Sequence, residues 1–221
     1  MELSVTLILV LATCAVSIGA FNNSKLMNDL IFYPPAISQR RQYYRFITHG
    51  FIHADIPHLA FNMIALYSFG EAVEKLFTFE CFFGPIGRVY YLLLYISALI
   101  VASIPTYLKN KDNYHYRSLG ASGAVSAIVF AGLVMVPQLP IRIMFIPIDI
   151  PGYIFGIAYL AISGLLDKKG GGNINHSAHF WGAAYGVAVT LILCIALAKL
   201  DVFDNFMRQI QSHGKILPFD C

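Results

Sequence analysis

Apolar runs alternate with shorter polar stretches along this chain, and six of the runs stand out: 3–21, 58–77, 89–108, 119–136, 143–166 and 177–200. Each is close to the ~20 residues an α-helix needs to cross a bilayer core. The pattern predicts an all-α, polytopic membrane protein built as a six-transmembrane-helix bundle. Residues 1–200 form one domain, and 201–221 form a tail. Residues 22–57 are polar with interleaved aromatics, too long a stretch for a simple turn. Glu71, Glu74 and Lys75 interrupt the second run near its end, and Pro147 and Pro151 punctuate the fifth. A proline fits the first turn of a helix and not its interior, so the fifth helix is expected to begin near Pro151 after an extended entry. In the tail, Val202, Phe203, Phe206 and Ile210 recur at helical spacing among charges, which predicts a short helix on the membrane surface. Glu2 stands where a signal peptide carries basic residues, and bulky Ile18 precedes the small residues of a cut after Ala20. The first run is therefore read as a retained helix.

Composition sharpens this picture. The chain of 221 residues is 57% hydrophobic and only 12% charged, about half the charged share of a soluble domain. A formal net charge of +3, dispersed between apolar runs, excludes nucleic acid as a partner and leaves the lipid bilayer and other membrane helices. The cysteines (14, 81, 194 and 221) lack CxxC spacing and read as small hydrophobes, not as a disulfide framework. Loop cations divide six on the N-terminal side against nine on the other, a bias towards a non-cytoplasmic N-terminus.

The polar residues inside the runs carry the chemistry. The second run opens with HLAFN, which puts His58 and Asn62 on one helix face; the fourth opens with LGASG around Ser122; the sixth opens with SAHFWG around His179. Alternate crossings run parallel, so these four groups share one membrane side, each a turn or so from the polar boundary. Gly120 and Gly123, with Ala127 and Ala131, keep the fourth run small-faced, and Gly182 and Gly186 form GxxxG on the sixth. Such faces let helix backbones approach closely and would bring Ser122 towards His179. Taken singly, each residue has a structural explanation: a serine bonding the carbonyl one turn back, a capping histidine, an asparagine between helices. Together, on one side of three alternate helices, they read as a functional site, because polar groups in lipid are costly.

These motifs resemble the rhomboid family of intramembrane serine proteases. GASG at 120–123 fits GxSG, AHFWGAAYG fits AHxxGxxxG, HLAFN fits HxxxN, GEAVEK at 70–75 is similar to the family's G-x-x-x-E segment, and Tyr44-Arg45 to its aromatic-Arg pair. The resemblance runs from Tyr44 to Gly186 in family order. It implies a serine-type endopeptidase that hydrolyses peptide bonds in transmembrane protein substrates, in the compact six-helix form common in bacteria. A multi-pass protein of the bacterial inner membrane is then expected, with a cytoplasmic N-terminus, against the charge bias, and a site opening to the exterior. Ser122 is the expected nucleophile and His179 the base, a dyad with no carboxylate; Asn62, His58 and the Ser122 and Ala121 N–H groups are the expected oxyanion donors. The fifth helix resembles the family's lateral gate, and the glycines of 168–175 suggest a cap over the site. One departure stands out: the family often carries an aromatic one turn after the serine, stacked on the histidine, and here that position is Ser126.

Four rival readings compete, one of them an aspartyl protease, which needs paired Asp residues that the apolar runs lack. A metalloprotease on His53, His58, His176 and His179 lacks HExxH and acidic partners, so no metal and no cofactor are expected. A small transporter would show repeated broken helices or a charged pathway. A rhomboid-like escort of membrane helices is the alternative, although such relatives usually lack the serine or the histidine.

Overall fold

The computed structural model describes residues 3–142, 148–169 and 175–212. Among them the helices are α1 (Val5–Phe21), α2 (Ser24–Leu30), α3 (Pro34–Arg40), α4 (Arg45–Thr48), α5 (Ile56–Phe77), α6 (Gly87–Asn110), α7 (Ser122–Met135), α8 (Gly152–Lys169), α9 (His176–Ala196) and α10 (Val202–Gln211). Two short strands, β1 (Pro140–Arg142) and β2 (Asp149–Pro151), pair antiparallel before α8, tied by a two-point Arg142–Asp149 ion pair. The extended entry expected ahead of the fifth helix is therefore one arm of a small ribbon, and α8 starts directly after Pro151.

The centre of the bundle is α7. All residues from Gly123 to Met135 are buried, as expected of a helix that is apolar on every side. It spans 14 residues, about 21 Å, less than the ~30 Å hydrocarbon core. The apolar run at 119–136 is longer than the helix inside it. At its start the chain is held extended by the Phe32–Ser118 bridge, and Gly120 takes φ +110°. That left-handed backbone suits glycine and ends any helical continuation towards 118. Ser122 thus sits recessed, at the first turn of a short buried helix.

Glycines set how closely α9 lies on α7. A Cβ at Gly182 would stand 2.1 Å from the Gly123 carbonyl oxygen, and one at Gly186 would stand 2.2 Å from that of Ala127. The small faces noted in the sequence meet here. Gly120 does not join them: it precedes α7, and a Cβ there would lie 2.8 Å from His58 Cε1.

Glu74, buried on α5, fastens α1 to the bundle. Its carboxylate accepts from the N–H groups of Val5 and Thr6 and from Thr6 Oγ1. An anionic acceptor satisfies the free donors of a helix start and complements its dipole. Gly70, one turn earlier, leaves room for Thr6 and Tyr91, which a Cβ would meet at 2.5–2.7 Å.

The tail helix is docked, not merely laid on the surface. Val202 and Gln209 of α10 are buried, and Asn205 Nδ2 and Gln209 Nε2 donate to the Met135 carbonyl. Both cap one carbonyl among the last of α7, which lack an intrahelical donor. Cys14 and Cys194 are free, whereas Cys81 is disulfide-bonded, a pairing that the spacing of the cysteines had left open. Most of the expected cap at 168–175 lies outside the described residues.

Among the described residues two helical stretches, Gly84–Asn110 and His176–Ala196, are long and apolar enough to cross a membrane; Val5–Phe21 and Ser122–Met135 are apolar but shorter.

Candidate active site

Ser122 Oγ and His179 Nε2 are 2.7 Å apart. Ser122 opens α7 and His179 lies in the first turn of α9, so the close seat of α9 on Gly123 and Ala127 brings the two side chains into contact. Asn175 fixes the start of α9, its Oδ1 accepting from Ala178 N–H and from Thr106 Oγ1 of α6. A hydroxyl hydrogen-bonded to a neutral imidazole is a nucleophile beside its general base. Among the described residues no Asp or Glu is hydrogen-bonded to His179, and no cluster of metal-ligating side chains occurs.

Asn62 and His58 come from the start of α5. Asn62 is buried, donates from Nδ2 to the His58 carbonyl, and lines a cavity of about 300 Å³ together with Ser122 and His179. The rest of the wall is mainly apolar, with Phe61, Phe69, Val129 and Phe155 among its members. The His58 ring lies against Gly120, two residues before Ser122.

A histidine network behind the site holds the approach to α7. Ser17 Oγ donates to the Phe51 carbonyl and therefore accepts from His53 Nδ1–H at 3.0 Å. That tautomer leaves His53 Nε2 as an acceptor, and the Ala121 N–H points to it at 3.4 Å. The Ala121 donor, expected to serve an oxyanion, is thus engaged elsewhere; the Ser122 N–H belongs to the first turn, where no intrahelical partner exists. Gly120 N–H donates to the His49 carbonyl, and His49 Nε2 pairs with Ser103 Oγ at 3.1 Å. Burial lowers the pKa of His49 from 6.5 to about 4 and that of His53 to about 3, so both rings are neutral. The HxxxH spacing at 49–53 was the available signal for this pair, and only the fold shows what it holds.

The ring over His179 comes from α8. Tyr159 lies 6.3 Å from it, centroid to centroid, with the planes inclined by 26°, and the tyrosine hydroxyl is 2.7 Å from Ser126 Oγ. Sequence reasoning missed Tyr159, because an aromatic in a membrane helix carries no local mark of what it stacks on.

A largely helical scaffold thus brings Ser122, at the start of its central helix, against His179, in the first turn of α9. The rhomboid domain model matches residues 40–196, and the chain belongs to the rhomboid family of membrane proteins. RHOMBOID-like protein 12, mitochondrial, of Arabidopsis thaliana is 31% identical over 190 residues, covering 81% of this chain and 55% of that protein. The human presenilin-associated rhomboid-like protein, mitochondrial, is 27% identical over 144 residues, with 62% of this chain and 34% of that protein covered. Rhomboid protease GluP of Bacillus subtilis is 37% identical over 84 residues, 38% of this chain and 14% of that one. The chain thus spans about half or less of the length of these relatives. Two of the three carry mitochondrial names, at odds with the bacterial inner membrane expected from the compact form.

Proposed function

We propose that the protein is an intramembrane serine endopeptidase that cleaves transmembrane segments of other proteins near the membrane boundary. The observation that carries this is the 2.7 Å contact between Ser122 Oγ and His179 Nε2. In this reading α1, α5, α6, α7, α8 and α9 are the six membrane helices of a domain over residues 1–200, with the tail docked beneath. His179 takes the Ser122 proton as Oγ attacks the scissile carbonyl carbon. The oxyanion that forms is met by the Ser122 N–H and by Asn62 and His58, at the positive end of the α7 dipole. Collapse breaks the C–N bond, and His179 returns the proton to the leaving amine. Water, deprotonated by the same imidazole, then releases the acyl group from Oγ. With no carboxylate partner among the described residues, the imidazole is held by packing, which makes this a dyad.

A peptide bond inside a regular helix is shielded by its own hydrogen bonds, so the substrate must unwind locally to reach Ser122. Segments with Gly, Pro or small polar residues near the boundary are the favoured class. The test is cleavage of a generic transmembrane substrate by the protein in liposomes, with Ser122→Ala and His179→Ala alongside. The wild type cleaves and both variants are inactive; cleavage that survives Ser122→Ala eliminates the assignment. Absence of cleavage in all three, with a transmembrane helix still bound, favours an escort protein instead.

A further inference from the structure

Ser126 stands one turn after Ser122, where the family resemblance leads one to expect an aromatic under the histidine. Its hydroxyl donates to the Ser122 carbonyl at 2.8 Å. A serine has one proton to give, so at 2.7 Å from Tyr159 the same oxygen is the acceptor and the tyrosine O–H is the donor. A continuous chain therefore runs from Tyr159 through Ser126 to the backbone of Ser122, while the Tyr159 ring lies over the His179 imidazole.

The sequence of α8 is built to deliver that ring. Gly152, Gly156, Tyr159 and Ser163 recur at spacings of four, three and four, one face of a helix. A Cβ at Gly152 would lie 2.5 Å from Leu133 Cδ2, and one at Gly156 would lie 3.3 Å from Leu133 Cδ1 and 3.5 Å from Phe130. The glycines seat α8 against α7, and Tyr159 follows them inward to reach both Ser126 and His179. Among the described residues the one other ring against His179 is His176, edge-on at 6.0 Å, and no carboxylate is hydrogen-bonded to the imidazole.

We infer that Tyr159, anchored by Ser126, is the positioning residue for His179: the aromatic missing from α7 is supplied by α8, and the serine in its place has become the ring's anchor. This rests on the assignment of Ser122 and His179 as nucleophile and base. Imidazole alignment then depends on how α8 is seated, although neither catalytic side chain is on that helix. Tyr159 also lines the cavity beside Ser122, so the experiment must separate positioning from substrate contact.

A fluorophosphonate probe does this, because it reports the reactivity of Ser122 without a protein substrate. Tyr159→Leu slows labelling about 10²-fold, the scale of a roughly 1 Å misplacement of a catalytic group. Tyr159→Phe, which keeps the ring and loses its hydrogen bond to Ser126, slows it about fivefold; Ser126→Ala, which loses that bond and the one to the Ser122 carbonyl, slows it at least as much. Adding Ser126→Tyr to Tyr159→Leu moves the ring to α7 and recovers at least about tenfold of the lost rate. Labelling of Tyr159→Leu at the wild-type rate overturns the inference, and so does a raised KM for a transmembrane substrate with labelling unchanged. A Tyr159→Leu protein with lowered unfolding temperature that Ser126→Tyr does not restore also overturns it, since the ring is then only structural. Failure of the underlying assignment looks different: the wild type is not labelled, or Ser122→Ala is labelled equally.

Discussion

Replacing Gly182 with alanine drives a methyl group into the backbone of the neighbouring helix. The new carbon would sit 2.1 Å from the Gly123 carbonyl oxygen and 2.8 Å from its carbonyl carbon, against ordinary contacts of about 3.5 Å. Backbone cannot rotate aside as a side chain can, so α9 must move off α7 by about 1 Å or more at that point. His179 lies three residues earlier on the same face, and its 2.7 Å contact with Ser122 would open to about 3.7 Å, beyond hydrogen-bond reach. Overpacking of this kind costs about 1–3 kcal/mol, a fall in unfolding temperature of a few degrees to about 10 °C. Cleavage per folded molecule drops about 10²-fold. Gly164→Ala is the control: a Cβ there meets Phe180 at an ordinary 3.6 Å, and both properties stay near wild type. The assay is thermal unfolding in detergent with turnover of a transmembrane substrate on the same samples. A Gly182→Ala protein that melts within about 1 °C of wild type and cleaves at its rate would refute the packing argument.

Other consequences are open to measurement. Asn62→Ala, which removes one proposed oxyanion donor, lowers kcat about 10²–10³-fold with KM little changed; an effect confined to KM would instead make Asn62 a wall of the cavity. Glu74→Ala strips three acceptor contacts from the start of α1 and costs about 2–4 kcal/mol, read as an earlier thermal transition with turnover per folded molecule retained; an unchanged transition would show that α1 is held elsewhere. His49 is neutral in the fold, with its pKa lowered from 6.5 to about 4, so below pH 6.5 the unfolded chain binds more protons than the folded one. Stability is full above about pH 6.5 and falls as pH drops towards 4, by about 2–3 kcal/mol at about pH 4.5 from His49 alone. Unfolding temperature against pH shows this slope, which His49→Gln makes shallower while His53 keeps its own share; a flat wild-type profile between about pH 6.5 and 5 contradicts it.

Much of this molecule is written locally. The apolar runs mark where the long helices lie because burying apolar surface depends only on which residues are adjacent in a helical repeat, and the spacing of Gly182 and Gly186 marks a face that can touch a backbone. Pro151 likewise marks the start of α8 through its own ring. Where helices end and what crosses between them is decided by partners distant in sequence. The fourth run yields only a short α7 because Phe32 and His49 hold its entry extended, and the Ala121 N–H is taken by a histidine 68 positions away. Tyr159 reaches His179 only because glycines on α8 fit side chains of α7. A helical repeat records which face is apolar or small, and carries no record of the ring that will lie against it; that is set when the helices pack.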